Sequence, residues 1–232
     1  MIKAILLDIE GTTTPIDFVH NTLFPFAKAR IAGFVQEHFD DLKFELGQLS
    51  DENTADAEYS PELRIDSPNS VADYLKYLID QDRKSTALKS IQGMIWQKGY
   101  ESGDLVSPTY PDVPAAFKRW KEVGRSIAIY SSGSVLAQSL IFKYSDQGDL
   151  TQSIDNYFDT TTGQKREVDS YRKIAEEMEL EANEILFVSD IPPELDAARA
   201  AGMQTALSIR KGNAEITEDH THRAVQSFED LD

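Results

Sequence analysis

The chain begins Met1-Ile2-Lys3-Ala4-Ile5-Leu6-Leu7-Asp8-Ile9-Glu10-Gly11-Thr12-Thr13. Residues 2–7 form a short apolar run that ends abruptly at an acidic side chain. Runs of this length, without strict alternation, are typical of strands buried on both faces of a parallel sheet. The run is too short, and too soon followed by acids, to be the apolar part of a signal peptide. We therefore expect a buried strand over residues 2–7, with carboxylates at its carboxyl end.

Three further apolar runs have the same character and lie at 126–130, 185–189 and 203–209. Apolar residues at helical spacing separate these runs, at 134–143, 167–180 and 193–201. The last helix has Pro193 in its first turn and is followed by Gly202, which are common start and stop residues. Alternating strands and helices predict an α/β fold, a doubly wound parallel sheet of Rossmann-like type.

Residues 17–109 interrupt this alternation with a long stretch of purely helical pattern. Apolar residues recur every three or four positions from Phe18 to Leu46, and Pro25 predicts a kink or a new helix start there. The acidic stretch 51–61 is predicted to be a solvated loop, and two amphipathic helices follow around 71–79 and 88–95. We expect an inserted, all-helical cap domain at 17–109, within a core formed by 1–16 and 110–232.

The charge of the chain limits the partners it can bind. Its 232 residues include 23 basic and 40 acidic side chains, which gives a net charge of −17. Such a surface repels nucleic acid, because nucleic-acid binding depends on neutralising phosphates with lysine and arginine. It also repels a small phosphorylated molecule at long range, so a bound phosphate requires a local cation.

The chain contains no cysteine, which excludes disulfides, thiolate metal sites and cysteine nucleophiles. No apolar run approaches the ~20 residues that are needed to cross a bilayer. We expect a cytoplasmic protein without membrane or nucleic-acid partners. We also expect a monomer, because no exposed apolar pattern is evident.

Ligands of open α/β sheets bind beyond the carboxyl ends of the strands, so the residues that follow each run are the candidates for a site. These are Asp8 and Glu10 after the first run, Ser131 and Ser132 after the second, and Ser189 and Asp190 at the end of the third. Lys165 lies between the second and third runs, in a Gly-Gln-Lys sequence that precedes a helix. Acids, hydroxyls and a lysine are therefore expected at one edge of the sheet.

These residue types suit phosphoryl transfer. A carboxylate can attack phosphorus, and Mg²⁺ prefers carboxylate and phosphate oxygens as ligands. A lysine and a hydroxyl can stabilise the charge on the transferred group. Glu10, two residues after Asp8, can protonate the leaving oxygen and later deprotonate a water molecule.

Each residue also has an ordinary explanation when it is taken alone. Asp8 would be a turn or helix-capping residue, and Lys165 a solvated surface lysine. The serines at 131–134 can cap the following helix, a role that is compatible with phosphate binding at the same amides. Glu194 is expected to support the site or the helix start rather than to bind metal. His220 and His222 are expected at the surface.

The pattern resembles the motifs of the haloacid dehalogenase superfamily. Residues 8–12 resemble its first motif, Asp-x-Asp-Gly-Thr, and Ser131, Lys165 and Asp190 look like its second, third and fourth motifs in the correct order. The inserted helices lie where that superfamily carries a helical cap. Glu10 departs from the pattern, because most phosphatases of the superfamily have aspartate there.

That departure makes the chain similar to a narrower family, the enolase-phosphatases of methionine salvage. The matching stretches are Asp8-Ile9-Glu10-Gly11-Thr12-Thr13-Thr14-Pro15-Ile16, Tyr130-Ser131-Ser132-Gly133-Ser134, Phe158-Asp159-Thr160, Gly163-Gln164-Lys165 and Ser170-Tyr171-Arg172-Lys173-Ile174-Ala175. The resemblance implies an acireductone synthase that enolises 2,3-diketo-5-methylthiopentyl-1-phosphate and then removes its phosphate.

The same resemblance implies a role for each matched residue. Asp8 is the nucleophile and Glu10 the acid and base, while Ser131, Ser132 and Lys165 bind the phosphate. Asp8, Asp190 and the backbone carbonyl of Glu10 bind one Mg²⁺ per chain. The base that removes the carbon-bound proton stays unassigned, with Glu10 as the first candidate.

Three other functions compete with this interpretation. A related capped phosphatase would act on phosphoglycolate or a sugar phosphate, and the sequence around Glu10 argues against it. A dehalogenase has no need for Glu10 or for the metal site at Asp190. A regulatory phosphoacceptor domain also combines acids, a hydroxyl and a lysine, but its acceptor follows the third strand rather than the first.

Overall fold

The computed structural model describes residues 1–54, 58–81, 83–216 and 220–231. Within these residues the strands form one six-stranded sheet. The strands are β1 (Ala4–Leu7), β2 (Ser126–Tyr130), β3 (Asn156–Phe158), β4 (Ile185–Ser189), β5 (Gln204–Ser208) and β6 (Arg223–Val225). Their order is β3-β2-β1-β4-β5-β6, and every neighbouring pair is parallel. This arrangement confirms the predicted doubly wound, Rossmann-like core.

Strand β1 lies in the middle of the sheet and all four of its residues are buried. Leu7 lies opposite Ile129 of β2 on one side and opposite Val188 of β4 on the other. The run at 2–7 therefore contains a strand that is buried on both faces, as its apolar character predicts, but the strand begins at Ala4, two residues later than expected. The chain segments that follow β1, β2 and β4 consequently begin side by side at one edge.

The helices alternate with the strands on either side of a long helical insertion. Those of nine residues or more in the described chain are α1 (Phe24–His38), α2 (Lys43–Thr54), α3 (Pro68–Asp80), α4 (Thr86–Glu101), α5 (Asp112–Glu122), α6 (Val135–Lys143), α7 (Val168–Glu177) and α8 (Pro192–Ala200). Ser134 caps α6, since its hydroxyl accepts a hydrogen bond from the amide of Ala137 at 3.3 Å.

The contacts divide the chain into two compact units. One consists of Met1–Phe18 with Val106–Asp232, and the other is Val19–Leu105. The first unit contains the whole sheet and helices α5 to α8. A buried aromatic group lies in its core, where the ring of Tyr171 is 5.6 Å from that of Tyr130 and 5.2 Å from that of Phe187.

The second unit is built from helices α1 to α4. Helix α1 packs against α3 and α4, and the indole nitrogen of Trp96 donates a hydrogen bond to the carbonyl of Leu23 at 2.8 Å. A π-helical turn, Val19–Leu23, precedes α1, and Pro25 lies in the first turn of the new helix. The predicted new start at Pro25 is therefore present, and proline is tolerated there because first-turn amides lack helical partners.

Several predictions for local structure were wrong. Helix α2 continues to Thr54, so residues 51–54 of the predicted loop are helical, and residues 55–57 of that loop lie outside the described residues. Helix α5 and strands β3 and β6 were not predicted. His222 was expected at the surface but is buried. Its ring nitrogens lie 2.8 Å from the Thr205 hydroxyl and 3.1 Å from the Asp196 carboxylate.

The described helices include none that combines the length and apolar character needed to cross a membrane.

Candidate active site

The site lies at the carboxyl ends of β1 and β4, which are neighbours at the point where the strand order reverses. Two strands connected to opposite halves of the sheet leave a crevice there, and this is where ligands of such sheets bind. The amide of Asp8 donates to the carbonyl of Val188 at 3.0 Å, so the pairing of the two strands extends to the first acid. Asp8 and Asp190 are both buried at this edge.

Lys165 joins the acids of the site. Its ammonium nitrogen lies 2.7 Å from Oδ2 of Asp8 and 2.7 Å from Oε2 of Glu194. The lysine side chain is only 8% exposed, so both ion pairs are shielded from water. The loop before α7 therefore brings its lysine to the acids that follow β1 and begin α8.

Ser189, the last residue of β4, lies between the same two carboxylates. Its hydroxyl is 3.0 Å from Oδ2 of Asp8 and 3.1 Å from Oε2 of Glu194, and it accepts the amide of Ile191 at 3.2 Å. The sequence places Ser189 beside Asp190 at the end of a strand but gives it no role, because a serine there has no distinctive pattern. Its position beside Asp190 was the available signal.

The negative charge of the cluster exceeds its positive charge. Asp8, Asp190 and Glu194 are three acids, and Lys165 is the cation that contacts two of them. Burial, and then the charge of Asp8, raise the pKa of Asp190 to about 7 and also raise the pKa of Glu194. Burial lowers the pKa of Lys165, but Asp8 and Glu194 outweigh burial and raise it above its ordinary value.

A tight turn follows Asp8 and carries Glu10. The amides of Thr12, Thr13 and Thr14 all donate to the carbonyl of Ile9, at 3.2, 2.9 and 3.0 Å, while Gly11 adopts a φ of +67°. A Cβ atom on Gly11 would lie 2.3 Å from Oδ2 of Asp190. Glycine is therefore required at position 11 for two reasons: the positive φ of its backbone and the close approach of the Asp190 carboxylate.

The last residue of β5 and the segment after it hold this turn from the other side. The Gly11 carbonyl accepts hydrogen bonds from the Ser208 hydroxyl at 3.1 Å and the Asn213 amide nitrogen at 2.9 Å. The Thr12 carbonyl accepts one from Nε of Arg210 at 3.2 Å. The carbonyls of Gly11 and Thr12, close to Glu10, are thus fixed by the end of β5 and the segment that follows it.

Ser131 and Ser132 lie at the same edge through the pairing of β2 with β1. Ser131 is buried, its amide donates to the carbonyl of Phe158 at 3.2 Å, and its hydroxyl accepts the amide of Gly133 at 3.2 Å. Ser132 is exposed at the beginning of the turn before α6. These two residues therefore belong to the turn at the end of β2. The ion pairs of the site join three other residues, Asp8, Lys165 and Glu194.

The donor set fits a hard divalent cation. In the part of the chain that the structure describes, no three histidine, aspartate or glutamate side chains are grouped as a metal centre. The set implied by the family resemblance needs only two such side chains, Asp8 and Asp190, with the backbone carbonyl of Glu10. The raised pKa of Asp190 indicates a buried carboxylate that a cation would stabilise as the anion.

The comparisons with known proteins agree with this geometry. A family model described as haloacid dehalogenase-like hydrolase matches residues 2–202. The chain is 46% identical over 237 residues to enolase-phosphatase E1 of Synechococcus elongatus, covering 99% of this chain and 98% of that protein. It is 48% identical over 236 residues to the protein of the same name from Klebsiella pneumoniae, covering 100% and 97%.

A solved structure is similar over the same length. The UTR4 protein of Saccharomyces cerevisiae has a TM-score of 0.79 and 36% sequence identity, with 100% of both chains covered. The likeness thus extends through the helical insertion and the segment after β5. The chain belongs to the haloacid dehalogenase-like hydrolases and, within them, to the enolase-phosphatase E1 family of phosphatases.

Proposed function

We propose that the protein enolises 2,3-diketo-5-methylthiopentyl-1-phosphate and dephosphorylates it to the acireductone 1,2-dihydroxy-3-keto-5-methylthiopentene, in methionine salvage. The observation that carries this proposal is the buried contact of Asp8 with Lys165 at 2.7 Å, next to the turn that carries Glu10. An aspartate beside a fixed cation suits attack on phosphorus, and the enolase-phosphatase relatives support the substrate.

In the phosphatase step, a carboxylate oxygen of Asp8 bonds to phosphorus while the bond between phosphorus and the substrate oxygen breaks. Glu10 gives its proton to the departing oxygen. Glu10 then takes a proton from water, whose oxygen attacks phosphorus and releases inorganic phosphate from Asp8. Lys165 holds the phosphoryl oxygens through both halves, together with Ser131 and Ser132.

In the enolisation step, a proton leaves the carbon next to a carbonyl group and the carbonyl oxygen gains one. Glu10 is the candidate base, because its side chain is one methylene longer than the aspartate of most related phosphatases. When bound, one Mg²⁺ per chain would be held by Asp8, Asp190 and the carbonyl of Glu10, and would polarise carbonyl and phosphoryl oxygens.

The organisation of the molecule is part of the same proposal. The core at 1–16 and 110–232 would carry the chemistry, and the insertion at 17–109 would serve as the helical cap. We also propose a cytoplasmic monomer. Light scattering of the purified protein at several concentrations tests the monomer, because an oligomer would give a larger mass that falls on dilution.

The deciding experiment combines two signals. The protein is incubated with the diketone phosphate and Mg²⁺, and enediol absorbance and released phosphate are followed together. The proposal expects enediol to form and phosphate to be released from this substrate. Release from phosphoglycolate or many sugar phosphates, with no reaction of the diketone, would favour the generic phosphatase instead.

A further inference from the structure

Three consecutive carbonyls of the loop that carries Lys165 are each bound by a side-chain hydroxyl. Tyr130 donates to the carbonyl of Gly163 at 2.8 Å, and Ser170 donates to that of Gln164 at 2.8 Å. Tyr171 donates to the carbonyl of Lys165 itself at 2.6 Å. We call Tyr130, Ser170 and Tyr171 the hydroxyl clamp.

The clamp residues stand on rigid elements. Tyr130 is the last residue of β2, and Ser170 and Tyr171 lie in the first turns of α7. All three are buried, and the rings of Tyr130 and Tyr171 pack edge to face at 5.6 Å. Two buried tyrosines and a buried serine therefore connect the loop to β2 and to α7.

Gly163 shows how closely the loop approaches the clamp. It has a φ of +154°, and a Cβ atom at this position would lie 2.1 Å from the Ser170 hydroxyl. The glycine thus lets the loop backbone lie directly against α7. A side chain there would push the loop away from Ser170 and from the neighbouring hydroxyls.

Lysine side chains have many rotamers, and ordering one costs up to about 2 kcal/mol in conformational entropy. In the proposed function the ammonium group of Lys165 contacts both Asp8 and a phosphoryl group. The backbone of Lys165 therefore has to be held in one position. A misplacement of about 1 Å near a reacting group can cost about 100-fold in rate. Hydrogen bonds to the loop carbonyls hold the backbone of Lys165, and a fixed backbone limits the positions that its ammonium group can reach.

We propose that Tyr130, Ser170 and Tyr171 are positioning residues for phosphate recognition, acting through the backbone of residues 163–165 on the ammonium group of Lys165. The inference rests on the proposed function, in which Lys165 holds the phosphoryl oxygens. A purely structural role would be different: the hydroxyls would stabilise the fold, and their loss would not act through Lys165.

The test measures the dissociation constant of inorganic phosphate by calorimetry in saturating Mg²⁺, with the thermal unfolding temperature of each variant. Tyr171→Phe and Ser170→Ala each remove one hydroxyl of the clamp. Tyr157→Phe is the matched control, because the Tyr157 hydroxyl is buried on the same sheet without a hydrogen-bond partner among the described residues. We expect phosphate binding to weaken about 5- to 10-fold in both clamp variants and to be unchanged in the control.

The same substitutions are then made in a Lys165→Ala background. If the clamp acts through Lys165, Lys165→Ala weakens phosphate binding and Tyr171→Phe adds less than about 2-fold to that loss. An equal factor in both backgrounds, or unchanged binding in both Tyr171→Phe and Ser170→Ala, would overturn the inference. Should Tyr171→Phe fail to fold, Ser170→Ala carries the comparison.

The outcomes separate this inference from the function on which it depends. Phosphate binding that is insensitive to Lys165→Ala would refute the phosphate-binding role of Lys165, and the clamp inference with it. Sensitivity to Lys165→Ala without sensitivity to the clamp variants refutes the clamp alone. Whether the diketone phosphate is the substrate is decided separately, by the enediol and phosphate assay.

Discussion

Both carboxylate oxygens of Asp8 are held in place. Oδ1 accepts the amide of Ile9 at 2.7 Å, while Oδ2 lies 2.7 Å from the Lys165 ammonium and 3.0 Å from the Ser189 hydroxyl. As the proposed nucleophile, a carboxylate fixed in this way would lose little entropy when it reacts. The arrangement also neutralises the oxygen that faces the lysine until a phosphoryl group arrives.

Replacing Asp8 by asparagine tests the covalent mechanism. Asp8→Asn keeps the shape of the side chain but removes the nucleophilic oxygen, so phosphate release should fall by about 10⁴-fold or more. Enolisation should stay detectable, because that step needs no aspartyl-phosphate. Single-turnover assays of enediol and phosphate measure the two steps, and normal phosphate release by the variant would exclude Asp8 as the nucleophile.

Gly11→Ala tests the approach of Asp190 to the turn. The added Cβ would meet Oδ2 of Asp190 at 2.3 Å, so the carboxylate must move. We expect Mg²⁺ affinity, measured by calorimetry, to fall at least about 10-fold, as for other disturbances next to a metal ligand. Gly124→Ala is the matched control, since Gly124 has a φ of +76° with no atom within 4 Å of the added Cβ.

The two variants share the cost of a side chain at positive φ, roughly 1 kcal/mol. Only Gly11→Ala adds the collision with Asp190. Equal Mg²⁺ affinity in both variants would show that Asp190 does not depend on this close approach, and would weaken its assignment as a metal ligand.

At the scale of elements, a buried ion pair attaches the C-terminal segment to helix α5. Asp112, the first residue of α5, accepts the amide of Phe228 at 2.6 Å and lies 2.9 Å from the guanidinium of Arg210. Burial raises the pKa of Asp112, but the Phe228 amide and Arg210 outweigh burial and hold the pKa below its ordinary value.

Asp112→Asn should lower the free energy of unfolding by about 3 kcal/mol at neutral pH, because it leaves Arg210 buried without its charged partner. The contribution of the wild-type carboxylate is complete above the unfolded pKa of about 3.9 and is lost as the pH falls through the lower folded value. Urea unfolding of both proteins between neutral pH and pH ~3 should therefore show their difference shrinking in acid.

The exposed pair of Asp169 with Arg172 supplies the comparison, with side chains 77% and 63% exposed. Asp169→Asn should change stability by less than about 0.5 kcal/mol at any of these pH values. A similar loss for both substitutions would mean that the buried position of Asp112 adds nothing.

The elements differ in how well their sequences predicted them. Strands β2 and β4 have the bounds of the apolar runs at 126–130 and 185–189, because buried parallel strands need continuous apolar sequence. Strand β3 is only Asn156–Phe158 and lies at the edge of the sheet, so it has no such run. Helix α5 was not predicted, and it carries a proline in its first turn, where proline is tolerated because first-turn amides lack helical partners.

The sequence predicted the candidate site from the order in which its residues follow the strands along the chain. It did not predict the distances between their side chains. Asp8 and Asp190 each follow a strand of the predicted parallel sheet. Because β1 and β4 are parallel neighbours, the residues that follow them lie at the same edge. The contact of Lys165 with Glu194 depends on the conformation of the loop before α7 and on the direction in which α8 begins, and no periodicity encodes either of these. The hydroxyl of Ser189 was equally unpredictable, because its role follows from the two carboxylates on either side.

At the scale of the whole molecule, the net charge of −17 opposes the approach of an anionic substrate. The repulsion acts over about 10 Å at 0.1 M salt and over about 30 Å at 0.01 M. Once the substrate is bound, nearby groups such as Lys165 dominate its electrostatic energy. Long-range charge should therefore affect association more than the chemical steps.

Raising the salt concentration from about 0.01 M to 0.15 M should increase kcat/KM by roughly 2- to 5-fold, since screening removes the repulsion. At saturating substrate and Mg²⁺, kcat should change little, which serves as the internal control. Steady-state kinetics over this range make the measurement. A fall of kcat/KM with salt would mean that a local positive field attracts the substrate despite the net charge.

The two carboxylates that Lys165 contacts have a consequence for the end of the catalytic cycle. The ammonium group of Lys165 is paired with both Asp8 and Glu194, so a phosphate ion that leaves the proposed site would not leave an unpaired buried charge. If Lys165 binds the phosphoryl group as proposed, Glu194 would compete with the free product for the lysine and so lower the affinity of the site for phosphate. Turnover should consequently slow little as phosphate accumulates, which progress curves with added phosphate would show.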